Sequence, residues 1–238
     1  MKAIKTILIV GGGNVAWHFQ RALSALGDID VKQTSSRKAV LDRAELIIIA
    51  VKDDAIEAVA QKIEAKEAIV VHTSGITGID VLKERFENCG VIYPLQTLKK
   101  GIDVSFNALP LCLEANNEVT FSLLETLAKS ISSMVYNINS AQRKHLHLAA
   151  TLANNFTNHI FGITKEVLDA ADLPFDILFP LIDNTITEVK THNPYSIQTG
   201  AAKRSDETTI EAHRAMLDDE QRKIYDILTQ AIRLKHRE

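Results

Sequence analysis

Gly11-Gly12-Gly13-Asn14-Val15-Ala16 follows the apolar run Ile7-Leu8-Ile9-Val10 and leads into a helical pattern. Read as G-x-G-x-x-A, this spacing suits the pyrophosphate of a dinucleotide. Gly11 permits the tight turn out of a strand, Gly13 leaves room for phosphate at the backbone, and Ala16 is small enough for close helix–strand packing. The phosphates would sit on backbone N–H groups at the positive end of the helix. Gly11, Gly13, Asn14 and Val15 are therefore candidate cofactor-binding residues. A glycine turn alone can be only a turn; the strand before it and the helix after it favour the ligand reading.

The next strand-like stretch covers residues 29–34 and ends in Ser35-Ser36-Arg37-Lys38. An NAD enzyme usually places an Asp or Glu there, on the ribose hydroxyls. A carboxylate would repel a 2′-phosphate, whereas Arg37 can hold one by charge-assisted hydrogen bonds with Ser36 assisting. The residues favour NADP(H). Further along, Val51 and Lys52 stand where the adenosine or ribose edge would lie, although Asp53 or Asp54 as a helix N-cap also explains that turn. His72-Thr73-Ser74-Gly75 ends another strand. A hydroxyl there can face the nicotinamide or the substrate, or Ser74 can simply form a turn.

A second set of polar residues lies on a helical pattern. His147, Thr151, Asn154 and Asn158 follow at intervals of four, three and four, which puts them on one side of an α-helix, with Lys144 near that side and Asn155 beside it. Ala149, Ala150, Leu152, Ala153, Phe156, Ile160 and Phe161 flank the stripe and predict a largely buried helix. Idle polar groups in such a helix are costly. The stripe is either a solvated face or the wall of a site in which His147 exchanges a proton and Ser74 with Asn154 or Asn155 polarises an oxygen or nitrogen.

The elements that must position these residues divide the chain in two. Residues 7–10, 46–51, 68–71 and 90–93 are continuous apolar runs suited to strands buried on both faces. Helical patterns over 17–26 and 55–63 lie between them. This alternation predicts an α/β Rossmann domain, doubly wound on a mostly parallel sheet, over residues 1–138. From Ser140 onward no strand is evident. Helices are expected over 140–171, 175–190, from Ser205 or Asp206 through Leu217, and over 219–235, giving an all-α domain over 139–238.

Bulk composition narrows the function. The 238 residues are 46% hydrophobic and 24% charged, with a net charge of −3. No general attraction to nucleic acid or to an anionic membrane follows from that charge. Cys89 and Cys112 give neither a zinc spacing nor a disulfide framework, so no metal site is expected. The short apolar run near the start is too brief for a signal-peptide core and no membrane span is evident, which places the protein in the cytoplasm.

The turn at 11–16, the Ser36-Arg37 pair, His72-Thr73-Ser74-Gly75, Tyr93-Pro94-Leu95-Gln96-Thr97, residues 147–156 and residues 199–206 with His213 carry a resemblance. The chain resembles the family in which a Rossmann-like domain is joined to a helical DUF2520 domain. That family belongs to the clan of 6-phosphogluconate dehydrogenase-like and pyrroline-5-carboxylate reductase-like proteins. The resemblance covers nearly the whole chain. It implies an NADP(H) site and homodimerisation through the helical domain, and it implies no substrate. The chain departs from the clan's hydroxyacid dehydrogenases, which carry a catalytic Lys followed four residues later by Asn. Here Leu148 stands four residues after Lys144. Arg204 is a weaker candidate, for a substrate carboxylate or phosphate.

These readings converge on an NADP(H)-dependent oxidoreductase acting on a small carbonyl, imine or hydroxyl compound between the two domains. The rival is a non-catalytic NADP(H)-binding sensor, favoured if the stripe's polar side chains satisfy one another away from the nicotinamide. A flavin-like F420 partner would need a second cofactor pocket, which no motif marks.

Overall fold

A computed structural model describes residues 4–37 and 44–236. The chain divides into two compact units, Met1–Ala153 and Asn154–Glu238.

The first unit is built on seven strands: β1 (Thr6–Val10), β2 (Asp30–Thr34), β3 (Leu46–Ile49), β4 (Ile69–His72), β5 (Cys89–Pro94), β6 (Leu111–Ala115) and β7 (Val135–Asn137). They lie in the order β2-β1-β3-β4-β5-β6-β7. All pairings are parallel except β5 with β6. The unbroken apolar strands are explained by cover on both faces. Ile7, Ile9, Leu46 and Ile48 pack with Ala16, Phe19 and Leu23 of α1 (Asn14–Ser24) and Leu124, Leu127 and Ala128 of α4 (Glu118–Ile131). Leu8, Val10, Ile47 and Ile49 point the other way, onto Ile56, Val59 and Ala60 of α2 (Ile56–Ala60) and Leu82 of α3 (Asp80–Lys83). Each fully buried Val, Leu, Ile or Phe side chain among them contributes about 1.5–3 kcal/mol. The doubly wound fold follows from that alternation.

Helix α5 (Ser140–Ala150) is the last α-helix of this unit. A reciprocal cap starts it: Asn139 accepts from Gln142 N, and Gln142 accepts from Asn139 N. The expected single helix over 140–171 is interrupted. Residues Thr151–Phe156 are π-helical, and α6 (Thr157–Asp169) follows. The i→i+5 bonds of a π turn take one residue more than an α turn, so the four–three–four spacing from His147 to Asn158 no longer marks one side. The expected burial is also corrected. Leu148, Leu152 and Phe156 are 59%, 54% and 57% exposed.

The second unit is helical. It holds α6, a 3₁₀ turn Phe175–Leu178, α7 (Phe179–Val189), α8 (Ala201–Arg204), α9 (Glu207–Ala215) and α10 (Asp219–Lys235). Among the described residues no strand follows Asn137. Arg233–Glu207 and Arg214–Asp226 ion pairs join α9 to α10. This unit has almost no interior of its own: Ile210 and Thr229 are its only buried residues among those described. Leu173, Ile177, Phe179, Leu181, Ile186 and Val189 all lie open. No described helix is long and apolar enough to cross a membrane.

Candidate functional site

The carboxyl ends of β1, β3, β4 and β5 lie on one edge of the sheet, and the chain changes winding direction between β1 and β3. Ligands of open α/β sheets collect at such a switch. Gly11 sits there with φ +141°, and a Cβ on it would lie 2.1 Å from the Ala50 carbonyl oxygen and 3.4 Å from Val51 Cγ1. Only glycine fits, because side-chain-bearing residues rarely adopt that φ and the β3 backbone fills the space. Two hydrogen bonds fix the turn: Gly11 N to Thr34 O at 3.0 Å and Gln33 Nε2 to Gly11 O at 2.7 Å.

Gly12 and Gly13 differ from Gly11. Both are exposed, and a Cβ on either would meet nothing within 4 Å. Gly13 caps α1 without a side-chain bond, and the first turn of α1 carries no acidic residue. The helix thus opens with uncapped N–H groups and no negative charge, the electrostatics an anion requires. Asn14 Oδ1 accepts from Lys100 N at 3.1 Å, while Val15 packs partly into the core and so offers its backbone. Beside the turn lies an open cleft of about 340 Å³ lined by Gly11, Gly12 and residues 33–36.

The β2 end forms a tight serine turn, with Arg37 N donating to Ser35 Oγ at 3.3 Å. Arg37 is exposed and Ser36 half-buried. A second cation joins them: Lys62 Nζ donates to the Ser36 carbonyl at 3.4 Å. Lys62 is a loop residue after α2, and only the tertiary fold brings it there. Lys38 lies outside the described residues. At the β3 end, Val51 is half-buried and Lys52 exposed. Lys52 itself holds the N-cap position of a 3₁₀ turn, Asp53–Ala55, with no side-chain bond, which corrects the expected aspartate cap.

The β4 end is a dense hydrogen-bonded loop. His72 is fully buried, and its pKa is lowered to about 4, chiefly by burial and then by the Arg143 charge. The neutral ring accepts from Ser74 N at Nδ1, 3.2 Å, and donates from Nε2 to Gly78 O, 3.3 Å. Ser74 Oγ accepts from Ile76 N at 3.1 Å and Thr77 N at 2.9 Å. Its O–H proton is what remains for a ligand. Arg143 then ties the loop to α5. With 1% of its side chain exposed, it donates from Nε to Ser74 O, from Nη2 to Thr77 O and Ser140 Oγ, and from Nη1 to Glu114 on β6. Sequence reasoning missed Arg143. The available signal was its place one helical turn before His147.

One turn later, His147 reaches the same loop. A Cβ on Gly75 would lie 2.5 Å from His147 Nδ1, so the bare glycine is what seats the ring. Tyr93, at the end of β5, meets the same nitrogen through its hydroxyl at 3.1 Å. Burial raises the Tyr93 pKa, so the phenol stays protonated. Tyr93 too was missed as a site residue. The structure therefore brings His147 and the Ser74–Gly75 loop together. Asn154 and Asn155 belong to the second unit, where Asn154 Nδ2 donates to Asn155 Oδ1 at 3.3 Å. In that unit Asp206, not Ser205, caps α9, accepting from Thr209 N at 3.1 Å, and Ser205 takes a left-handed conformation before it. Arg204 is exposed.

Among the described residues no group of three or more His, Cys, Asp or Glu could hold a metal ion. Cys89 and Cys112 are buried, unpaired thiols whose pKa values burial pushes up to about 11.

Solved structures share this architecture. A candidate NADP oxidoreductase from Bacteroides fragilis is 33% identical, with 97% of this chain and 98% of that chain covered and a TM-score of 0.88. A protein from Thermotoga maritima is 20% identical over 97% and 98% of the two chains, with a TM-score of 0.70. A reductive aminase from Aspergillus terreus, in complex with NADPH and ethyl levulinate, is 12% identical over 98% and 95%, with a TM-score of 0.71. The last two speak to the fold alone. No protein of curated function matches the chain. The model of the family described as a domain of unknown function, DUF2520, matches residues 109–232, from just before β6 into α10 and across both Arg143 and His147, and the chain belongs to that family.

Proposed function

We propose that the chain is an NADP(H)-dependent oxidoreductase acting on a small polar carbonyl, imine or hydroxyl compound in the cleft between its Rossmann and helical domains. One observation carries the reading. Gly11 must be glycine to fit against β3, whereas Gly12 and Gly13 meet no neighbour and leave open backbone at the uncapped start of α1. A plain turn needs only the first of these. The printed description of the Bacteroides fragilis relative supports the same class.

Gly11, Gly13, Asn14 and Val15 would hold the pyrophosphate. Ser36 and Arg37, without a competing carboxylate in their turn, would hold the 2′-phosphate. Val51 and Lys52 would border the adenosine. When bound, the nicotinamide supplies or accepts the hydride. His147 would engage the substrate's oxygen or nitrogen, with the Ser74 hydroxyl and Asn154 or Asn155 contributing further polar contacts.

A second reading, an NADP(H)-binding sensor without turnover, draws on the engagement of Ser74 by its own loop and on the Asn154–Asn155 bond. A homodimer through the helical unit is part of the proposal, because that unit leaves its apolar side chains open in the single chain.

The first experiment is titration with NADPH, NADH, NADP⁺ and NAD⁺, with Arg37→Ala alongside. Tight NADPH binding that falls to the NADH level in the variant supports the assignment. Absence of binding by any dinucleotide removes it. A carbonyl and imine screen with His147→Ala then separates enzyme from sensor.

A further inference from the structure

The Tyr93–His147 contact specifies how the histidine works. The inference deepens the reading of His147 and rests on it only for its catalytic consequence. Tyr93 is 9% exposed at the end of β5, and its hydroxyl lies 3.1 Å from His147 Nδ1. The two rings meet edge to face, with centroids 6.0 Å apart. The bare Gly75 closes the third side, since a Cβ there would lie 2.9 Å from the imidazole Cγ and 3.0 Å from Tyr93 Cε2. The ring is therefore held in place and oriented.

Among the described residues, the Tyr93 hydroxyl has no second hydrogen-bond partner, and neither has His147 Nε2. A largely buried O–H left without an acceptor is costly, and the nitrogen beside it can accept. We propose that Tyr93 donates to Nδ1 and thereby holds His147 as the neutral Nε2–H tautomer, which makes Tyr93 a positioning residue. His147 then offers an N–H donor to the oxygen or nitrogen of its substrate. A neutral imidazole in that role polarises a carbonyl or imine without carrying charge.

If the neutral ring gave up its Nε2 proton, it would become an imidazolate unless Tyr93 passed its own proton to Nδ1 and became a phenolate. Burial raises the Tyr93 pKa and opposes that step. The proton that completes reduction of the oxygen or nitrogen therefore comes from water, while His147 keeps its own.

The test needs neither cofactor nor substrate. The full chain is labelled with ¹⁵N in its histidine rings, and His147→Gln identifies the His147 signals among the eight histidines. Spectra are recorded near pH ~8.5, where an ordinary imidazole is neutral. The expected result is a protonated Nε2 and an unprotonated Nδ1 shielded by an accepted hydrogen bond. In Tyr93→Phe the Nδ1 signal should move toward that of a free imine nitrogen. A protonated Nδ1 in the parent protein, or an Nδ1 signal that Tyr93→Phe leaves in place, would overturn the proposal. Failure of every substrate screen would remove the oxidoreductase reading and leave the tautomer assignment untouched.

Discussion

Arg143 and Glu114 stand 29 residues apart in the chain and form an ion pair, buried on the arginine side and largely so on the glutamate side, that joins α5 to β6. The same guanidinium holds the carbonyls of Ser74 and Thr77. Removing one partner of such a pair leaves an uncompensated charge, typically costing about 3–5 kcal/mol. Arg143→Met should therefore lose roughly that amount in urea unfolding, while the neighbouring exposed Lys144→Met should stay within about 0.5 kcal/mol. A loss for Arg143→Met below that of Lys144→Met would mean that the network is solvated.

The glycine turn yields a contrast between two substitutions of the same kind. Gly11→Ala drives a methyl group into the Ala50 carbonyl at a left-handed φ, so it should destabilise by about 1–3 kcal/mol or more. Gly13→Ala, at φ −79° with open space, should fold with stability within ~0.5 kcal/mol of the parent. It should nevertheless weaken NADPH binding by about tenfold or more, because its methyl group occupies the phosphate approach. Thermal unfolding and NADPH titration of both variants check this. Undiminished NADPH binding by Gly13→Ala would argue against a phosphate at this turn.

His72 gives stability a pH dependence of defined sign. Its folded pKa of about 4 lies below the ordinary value of 6.5, because burial disfavours the charged ring. The unfolded chain therefore binds more protons between these values. The contribution is complete above pH ~6.5 and is lost as pH falls toward ~4, reaching about 3 kcal/mol. Unfolding free energies measured between pH 7 and pH 4 should fall less steeply in His72→Asn than in the parent. Parallel curves would show that His72 charges in the folded protein.

The helical unit should depend on a second copy of the chain. Leu181 is 63% exposed on α7, among other open apolar side chains. Sedimentation of the parent should report a dimer, and Leu181→Asp should shift it toward monomer by placing a charge in the apolar face. A parent that sediments as a monomer at every concentration would count against the proposed assembly.

Much of the Rossmann unit is legible in the sequence. The strands β1, β3 and β4 are dense in β-branched residues, and the glycine turn has a local mechanism. β6 and β7 were not anticipated, because Leu111–Ala115 holds no β-branched residue and ends in Glu114 and Ala115, and β7 is only three residues long. The helix at Asp219–Lys235 is read at its observed bounds, and the structure shows Asp218 capping it. The π turn was invisible, since Thr151-Leu152-Ala153-Asn154-Asn155-Phe156 composes equally well into an α-helix. His147 could be picked out as polar on a helix. Its partner Tyr93 could not, because a tyrosine ending an apolar strand reads as core until the fold brings it to a histidine 54 positions away. Arg143 was hidden for the same reason: an arginine in the first turns of a helix is ordinarily solvated, and only β6 and the β4 loop make it interior.

The family match and the folding boundary fall in different places. Residues 109–232 begin within the sheet, whereas the compact units divide after Ala153. A fragment cut at Leu109 would keep Glu114, Arg143 and His147 but leave behind the carbonyls of Ser74 and Thr77, the hydroxyl of Tyr93 and the whole of β5. It would bare the edge of β6, the kind of open strand that recruits other chains. The stretch that the family model matches is thus not a module that can be excised. Its packing depends on the glycine-turn half being present with it.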